Sequence, residues 1–128
     1  MRFSENITGI QHIGIPTMDV EKSVAFYKAL GFEEKLREKG LRGPVVFMGQ
    51  KNLMLEFYVP EACAGCAGAV DHFAIDVQDV DAAFEEAKKM GLKLLDQEIQ
   101  SRPFWANGVR FFNLEGPNQE KIEFSQIL

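Results

Sequence analysis

Four residues carry the chemistry this sequence offers: His12, Glu56, His72 and Glu123. The chain has only two histidines, and each stands inside the same local pattern, Gln11-His12-Ile13-Gly14-Ile15 and Asp71-His72-Phe73-Ala74-Ile75. The glutamates recur in the same way, as Leu55-Glu56-Phe57 and Ile122-Glu123-Phe124. Two imidazoles and two carboxylates make a first shell for one divalent cation, with Ni, Co, Zn, Mn and Fe all open. Two ionised carboxylates also balance the charge of a dication. The competing reading is a solvated sheet face, which needs no ligand to explain a glutamate. The paired recurrence favours the metal.

What positions these residues is a repeat. Gln11–Phe32 laid over Asp71–Leu92 matches His12 to His72, Ile15 to Ile75, Asp19 to Asp79, Val20 to Val80, Lys28 to Lys88 and Gly31 to Gly91. Each copy predicts a strand (Thr8–Ile15; Val70–Val77), then a helix with Asp19 or Asp79 as its N-cap. Val20, Val24 and Tyr27 share one helical face, as do Val80, Phe84, Ala87 and Met90. Gly31 and Gly91 stand where a left-handed residue ends a helix. Three strands follow, about Glu33–Glu38, Val45–Gly49 and Asn52–Val59, then about Lys93–Gln100, Val109–Leu114 and Glu120–Ser125. The expected fold is therefore α+β, with two tandem βαβββ units forming one domain over residues 1–128 and a curved mixed sheet. Unit one covers about 8–60, an Ala/Gly-rich linker 61–69, and unit two about 70–128.

Strand parity separates faces. Ile13 and Ile15, Leu55 and Phe57, Phe73 and Ile75, and Ile122 and Phe124 form apolar faces that the helices should cover. His12, Glu56, His72 and Glu123 fall on the opposite side, where Met54 and Tyr58 join Glu56 as candidate pocket residues. The segment Ser101–Gly108 holds the only Trp. Its Phe104 and Trp105 are expected to cover a bound ligand or else to tuck into core or interface, and Arg102 to meet an anionic group.

Bulk properties narrow the class. A chain of 128 residues with 46% hydrophobic content suits one domain with a filled core. No apolar run approaches about 18 residues, so no membrane span is expected, and the polar start of the sequence points to the cytoplasm. A net charge of −5 argues against nucleic-acid binding. Cys63 and Cys66 cannot complete a four-thiolate zinc site, and read as a reduced pair in the linker.

The sequence resembles the glyoxalase/bleomycin-resistance/dioxygenase superfamily, also called vicinal oxygen chelate proteins. The residues that carry the likeness are the two His segments above, Asp19-Val20, Phe26-Tyr27, Leu30-Gly31-Phe32, Leu55-Glu56-Phe57, and Gly116-Pro117 through Lys121-Ile122-Glu123-Phe124. The resemblance implies a U-shaped metal cleft and a homodimer. His12 and Glu56 then come from one subunit and His72 and Glu123 from its partner, or all four from one chain. It implies a small substrate with adjacent oxygens, such as a 2-oxoaldehyde–thiol adduct. Glu123 is the first candidate for the base and Glu56 the second, with nickel the first metal to consider. Glutathione-using members tend to carry Arg and Asn where this chain has Pro16 and Pro60, which argues against glutathione. Methylmalonyl-CoA epimerase resembles the His-Ile-Gly-Ile run, yet usually has Gln where Glu56 stands. Dioxygenase and fosfomycin-modifying relatives use three ligands, so the full set implies a lyase or isomerase. The alternative is a non-catalytic drug-binding protein of the bleomycin-resistance type, which typically lacks the four ligands.

Overall fold

Asp19 and Asp79 act as N-caps. Their carboxylates accept hydrogen bonds from the Lys22 and Ala82 backbone N–H groups, and a helix of ten residues follows each. The computed structural model describes residues 1–6, 8, 10–66, 68 and 70–128. These form two compact units, Met1–Cys63 and Ala64–Leu128. Gly9 in the expected first strand, and Ala67 and Ala69 in the expected linker, lie outside the described residues.

The first unit contains α1 (Phe3–Asn6), β1 (Ile13–Pro16), α2 (Val20–Ala29), β2 (Glu33–Lys39), β3 (Pro44–Gln50) and β4 (Leu53–Tyr58). Its strands lie in the order β1-β4-β3-β2, with β1 parallel to β4 and the remaining pairs antiparallel. Strand β2 is the edge, and its Glu33, Lys35, Arg37 and Lys39 keep that edge charged and exposed. The second unit contains β5 (His72–Asp76), α3 (Val80–Lys89), β6 (Lys93–Leu94), β7 (Gln100–Arg102), β8 (Val109–Glu115) and β9 (Lys121–Ile127). The order is β5-β9-β8-β6, with β7 also paired to β8, and β5 again runs parallel to its neighbour β9. Helices beside mixed sheets in both units give the expected α+β class. Among the described residues no helix is long and apolar enough to cross a membrane.

Each helix buries the face its periodicity marks. Val20, Val24 and Tyr27 are buried on α2, and Val80, Phe84 and Ala87 on α3. The Tyr27 ring packs 5.0 Å from Phe57, and Phe84 packs edge-on 5.1 Å from Phe112. Gly31 and Gly91 take positive φ of 94° and 69° just past the helices. There Phe32 N–H bonds back to Tyr27 and Leu92 N–H to Ala87. One arginine also ties each helix to its sheet, Arg37 to Glu21 and Arg110 to Asp81.

Three details differ from the sequence reading. The short helix α1 was not anticipated. The first strands start later than expected, at Ile13 and His72; β5 begins opposite Lys121, where its ladder partner β9 itself begins. The strand expected over Lys93–Gln100 is broken into β6 and β7. At the break the Asp96 carboxylate accepts from the Asn113 backbone N–H at 2.7 Å, a donor that a continuous ladder would otherwise use.

Candidate functional site

In the first unit Gly14 lies opposite Glu56 in the parallel β1–β4 ladder. His12 stands just before β1, and its Nε2 is 3.8 Å from Glu56 Oε1. The other ring nitrogen, Nδ1, lies 2.9 Å from Gln11 Oε1. Phe47, registered opposite Glu56 on β3, meets the imidazole edge-on with centroids 5.5 Å apart. A Cβ at Gly14 would stand 3.6 Å from Tyr58 Cε1 and 3.7 Å from Glu56 Oε1, so glycine leaves space beside the carboxylate. Met54 and Tyr58 are half-buried in the same strand, with the Met54 methyl against Gly49.

The second unit repeats the arrangement. Ala74 lies opposite Glu123 in the parallel β5–β9 ladder. His72 Nε2 is 3.3 Å from Glu123 Oε2, and its Nδ1 is 2.9 Å from Asp71 Oδ2. Lys121 Nζ donates to both Asp71 oxygens at 3.1 Å. The His72 hydrogen bond, followed by that of Lys121, holds the Asp71 carboxyl below the usual carboxylate range. Asn113, opposite Glu123 on β8, has a buried Oδ1 with no hydrogen-bond partner.

These contacts set what the histidines offer. With the proton on Nδ1, toward that oxygen, a neutral ring aims its Nε2 lone pair at a carboxylate. Two electron-rich atoms facing each other need a cation or a proton between them. At 3.8 Å the His12–Glu56 pair is too far apart for a hydrogen bond. Two donors bonded to one ion at about 2.0–2.2 Å stand at most roughly 4.4 Å apart. Separations of 3.3 and 3.8 Å therefore fit a shared divalent ion. Among the described residues no three His, Cys, Asp or Glu side chains gather into one ligand group; each unit supplies one His–Glu pair.

A concavity of about 490 Å³ opens beside the second pair. His72 and Glu123 form one part of its lining, and Phe104, Trp105, Phe111 and Ile127 its apolar part, with Asp76 and Ser125 the other polar groups. Phe104 and Trp105 are 58% and 71% exposed, so they are presented to solvent in this unit rather than buried in its core. Trp105 holds a left-handed φ of 66°, a strained backbone for a bulky residue. Arg102 instead lines an adjoining depression with Ser101 and Arg110, its guanidinium 5.7 Å above the Phe111 ring. Cys63 and Cys66 carry free thiols. The sequence reading did not single out Gln11, Asp71, Phe47, Asn113 or Lys121. Adjacency to the histidines was the one available signal for Gln11 and Asp71.

Comparison with known proteins matches residues 9–124 to the family model described as Glyoxalase/Bleomycin resistance protein/Dioxygenase superfamily. An uncharacterized protein of Bacillus subtilis, YwbC, is 35% identical over 91% of this chain and 96% of its own length. Human mitochondrial methylmalonyl-CoA epimerase is 31% identical over 74% of this chain and 61% of its own length. Among solved structures, a glyoxalase family protein from Enterococcus faecalis superposes with a TM-score of 0.78 at 15% identity, over 94% of this chain and 98% of that one. Lactoylglutathione lyase from Agrobacterium tumefaciens gives 0.71 at 19%, over 94% of each chain. A fosfomycin resistance protein from Listeria monocytogenes, complexed with Mn(II) and sulfate, gives 0.73 at 17%, over 95% and 94%. These structural likenesses establish the fold.

Proposed function

The chain belongs to the glyoxalase/bleomycin resistance protein/dioxygenase superfamily, and on that premise we propose that it is a divalent-metal lyase or isomerase acting on a small substrate with adjacent oxygens. The observation that carries this reading is the recurrence of one His–Glu juxtaposition at equivalent positions of both units, each with Nδ1 tied back. His12, Glu56, His72 and Glu123 hold one ion (Ni, Co, Zn, Mn or Fe), with nickel tested first. The protein works as a homodimer, its four donors drawn from one chain or from two. A bound ion would supply Lewis-acid polarisation of the two substrate oxygens.

The chain's own residues supply the rest. Glu123 takes a proton from the carbon next to the substrate carbonyl and returns it to the neighbouring carbon or the opposite face. Its side chain is 17% exposed against 26% for Glu56, so it is the better shielded from water, and shielding is what a carboxylate needs to act as a base. Phe104, Trp105 and Phe111 receive the substrate's side group. Among the described residues the pocket lining includes Asp76 and Glu123 and no Lys or Arg, which favours an uncharged, apolar group there.

Likeness to the epimerase supports a second reading, a proton shift on a branched acyl thioester. Both readings predict proton exchange beside a carbonyl. The test is turnover and deuterium incorporation, followed by NMR, on 2-oxoaldehyde–thiol adducts and on methylmalonyl-CoA, with protein loaded with each metal. The expected result is exchange with one class, reduced about 10²–10⁴-fold in Glu123→Gln. Binding without exchange for any substrate or metal overturns the enzyme reading and leaves a drug-sequestering protein.

A further inference from the structure

Of the five arginines, Arg2, Arg37, Arg42 and Arg110 each pair with a carboxylate. Among the described residues Arg102 has no such partner. Its Nη1 donates to the Ser101 carbonyl at 2.7 Å, and its guanidinium rests 5.7 Å from the centre of the Phe111 ring. That carbonyl takes one N–H, so the other donors of the planar fork stay available. Ring and carbonyl together hold the side chain in place before any ligand arrives, which lowers the entropy cost of binding one.

The strand ladders place this cation. Arg102 is registered opposite Val109, and Val109 opposite Ile127, so the three side chains share one face of the sheet. Glu123 is on that face too, since Asn113, four residues after Val109 on β8, is its ladder partner. Val109 lines both the concavity of His72 and Glu123 and the depression of about 360 Å³ that holds Arg102, Ser101 and Asn107. The two hollows therefore adjoin, and Phe111, which lines the first, carries the guanidinium that lines the second. Arg110 also borders the depression, but both oxygens of Asp81 already meet its charge. From Glu123 to Arg102 is four residues along the strands and two strands across, roughly 16 Å between backbones. The guanidinium leans back over Phe111, whose backbone is two residues and one strand from Glu123, or roughly 8 Å.

We propose that Arg102 is a specificity-determining residue, which binds a carboxylate or phosphate at the far end of a substrate whose apolar middle lies over Phe111 and Val109. The proposal rests on the reading above and narrows its substrate class. One end carries the adjacent oxygens, and the other an anion roughly 8–16 Å away, the reach of about two to five extended residues. An adduct of a cysteine-sized thiol spans about 3.5 Å on that scale and leaves Arg102 unreached. A chain of net charge −5 repels anions in general, so admitting one here takes a local, unpaired guanidinium. The apolar lining beside His72 and Glu123 fits the uncharged middle, and Ser101 and Asn107 add a hydroxyl and an amide beside the anion.

The first arm of the test needs no turnover. Trp105, the only Trp in the chain, lines the concavity, so its fluorescence reports occupancy. The full-length protein as purified is titrated with 1-hexanol, hexanoate and hexyl phosphate. At least one of the two anions is expected to bind about tenfold tighter than hexanol, and the tighter one identifies carboxylate or phosphate as the preferred group. Arg102→Gln should abolish that advantage and leave hexanol binding unchanged, Arg102→Lys should keep part of it, and high salt should shrink it. Arg102 is exposed, so these variants keep the fold, which circular dichroism checks. Equal affinity for the three probes, an advantage that survives in Arg102→Gln, or no fluorescence change with any probe overturns the proposal. The second arm follows proton exchange on a substrate with such an anionic end. There Arg102→Gln should raise KM about tenfold at unchanged kcat, and a fall in kcat at unchanged KM overturns the proposal. If no metal supports exchange, the lyase or isomerase reading fails, and the fluorescence arm still decides the role of Arg102.

Discussion

Replacing Glu123 with Gln keeps the shape of the side chain and removes its charge, so its main effect should fall on ion affinity. An ion that binds the folded chain alone stabilises it by about 4.1 kcal/mol when its concentration is about 1,000 times its dissociation constant. Unfolding 128 residues carries an entropy near 2.1 cal/mol/K per residue, about 0.27 kcal/mol/K in all, so the melting temperature should rise by roughly 15 °C. Loss of the anionic ligand should weaken binding at least about 100-fold. At the same ion concentration the variant would sit near 10 times its dissociation constant, gaining about 1.4 kcal/mol and roughly 5 °C. Glu56→Gln should lose less of the shift, because Glu56 is the more exposed carboxylate and lies farther from its histidine. Thermal unfolding followed by circular dichroism, on metal-free protein with and without Ni(II), measures all three. Equal shifts in wild type and Glu123→Gln would refute the assignment of this carboxylate as a ligand.

Subunit sharing predicts complementation: co-purified His12→Ala and Glu123→Ala chains should regain one intact site per heterodimer if the pairs come from different subunits, and none if one chain holds all four. Ion content of the mixed dimer reads this directly. Phe112→Ala should cost about 3–5 kcal/mol in urea unfolding, since Phe112 is fully buried against Phe84 and Phe124. The hydrogen bonds of Arg110 hold Asp81 below its ordinary value. Its stabilising contribution is therefore present above the ordinary carboxylate range and lost as pH falls through the lower folded value. Urea midpoints of wild type should decline relative to Asp81→Asn below about pH 4 and run parallel near neutrality. The pair is exposed, so the difference should be small.

The parts of this fold legible in the sequence are those that local chemistry dictates. Asp19 and Asp79 announce the helix starts, Gly31 and Gly91 the ends, and the 3.6-residue spacing of Val20, Val24 and Tyr27 the buried face. Strand parity likewise puts His12, Glu56, His72 and Glu123 opposite the apolar faces; which histidine meets which glutamate depends on the parallel pairing of β1 with β4 and of β5 with β9, which parity alone does not give. What escaped the reading depends on partners distant in sequence. Asp96 breaks the expected Lys93–Gln100 strand by bonding Asn113, a contact with no local signature. Proximity in sequence groups Arg102 with Phe104 and Trp105, yet of the three only the aromatics line the concavity beside His72. The Lys121–Asp71 ion pair behind His72 has no local signature, because its partners are 50 residues apart in sequence.

Elemental analysis of purified, metal-reconstituted protein, beside His12→Ala, Glu56→Ala, His72→Ala and Glu123→Ala, tests the central claim most directly. One divalent ion per chain in wild type, lost or sharply reduced in all four variants, is the predicted result. Two ions per chain would mean that each His–Glu pair works alone. No ion, or an ion content indifferent to the substitutions, would contradict the account.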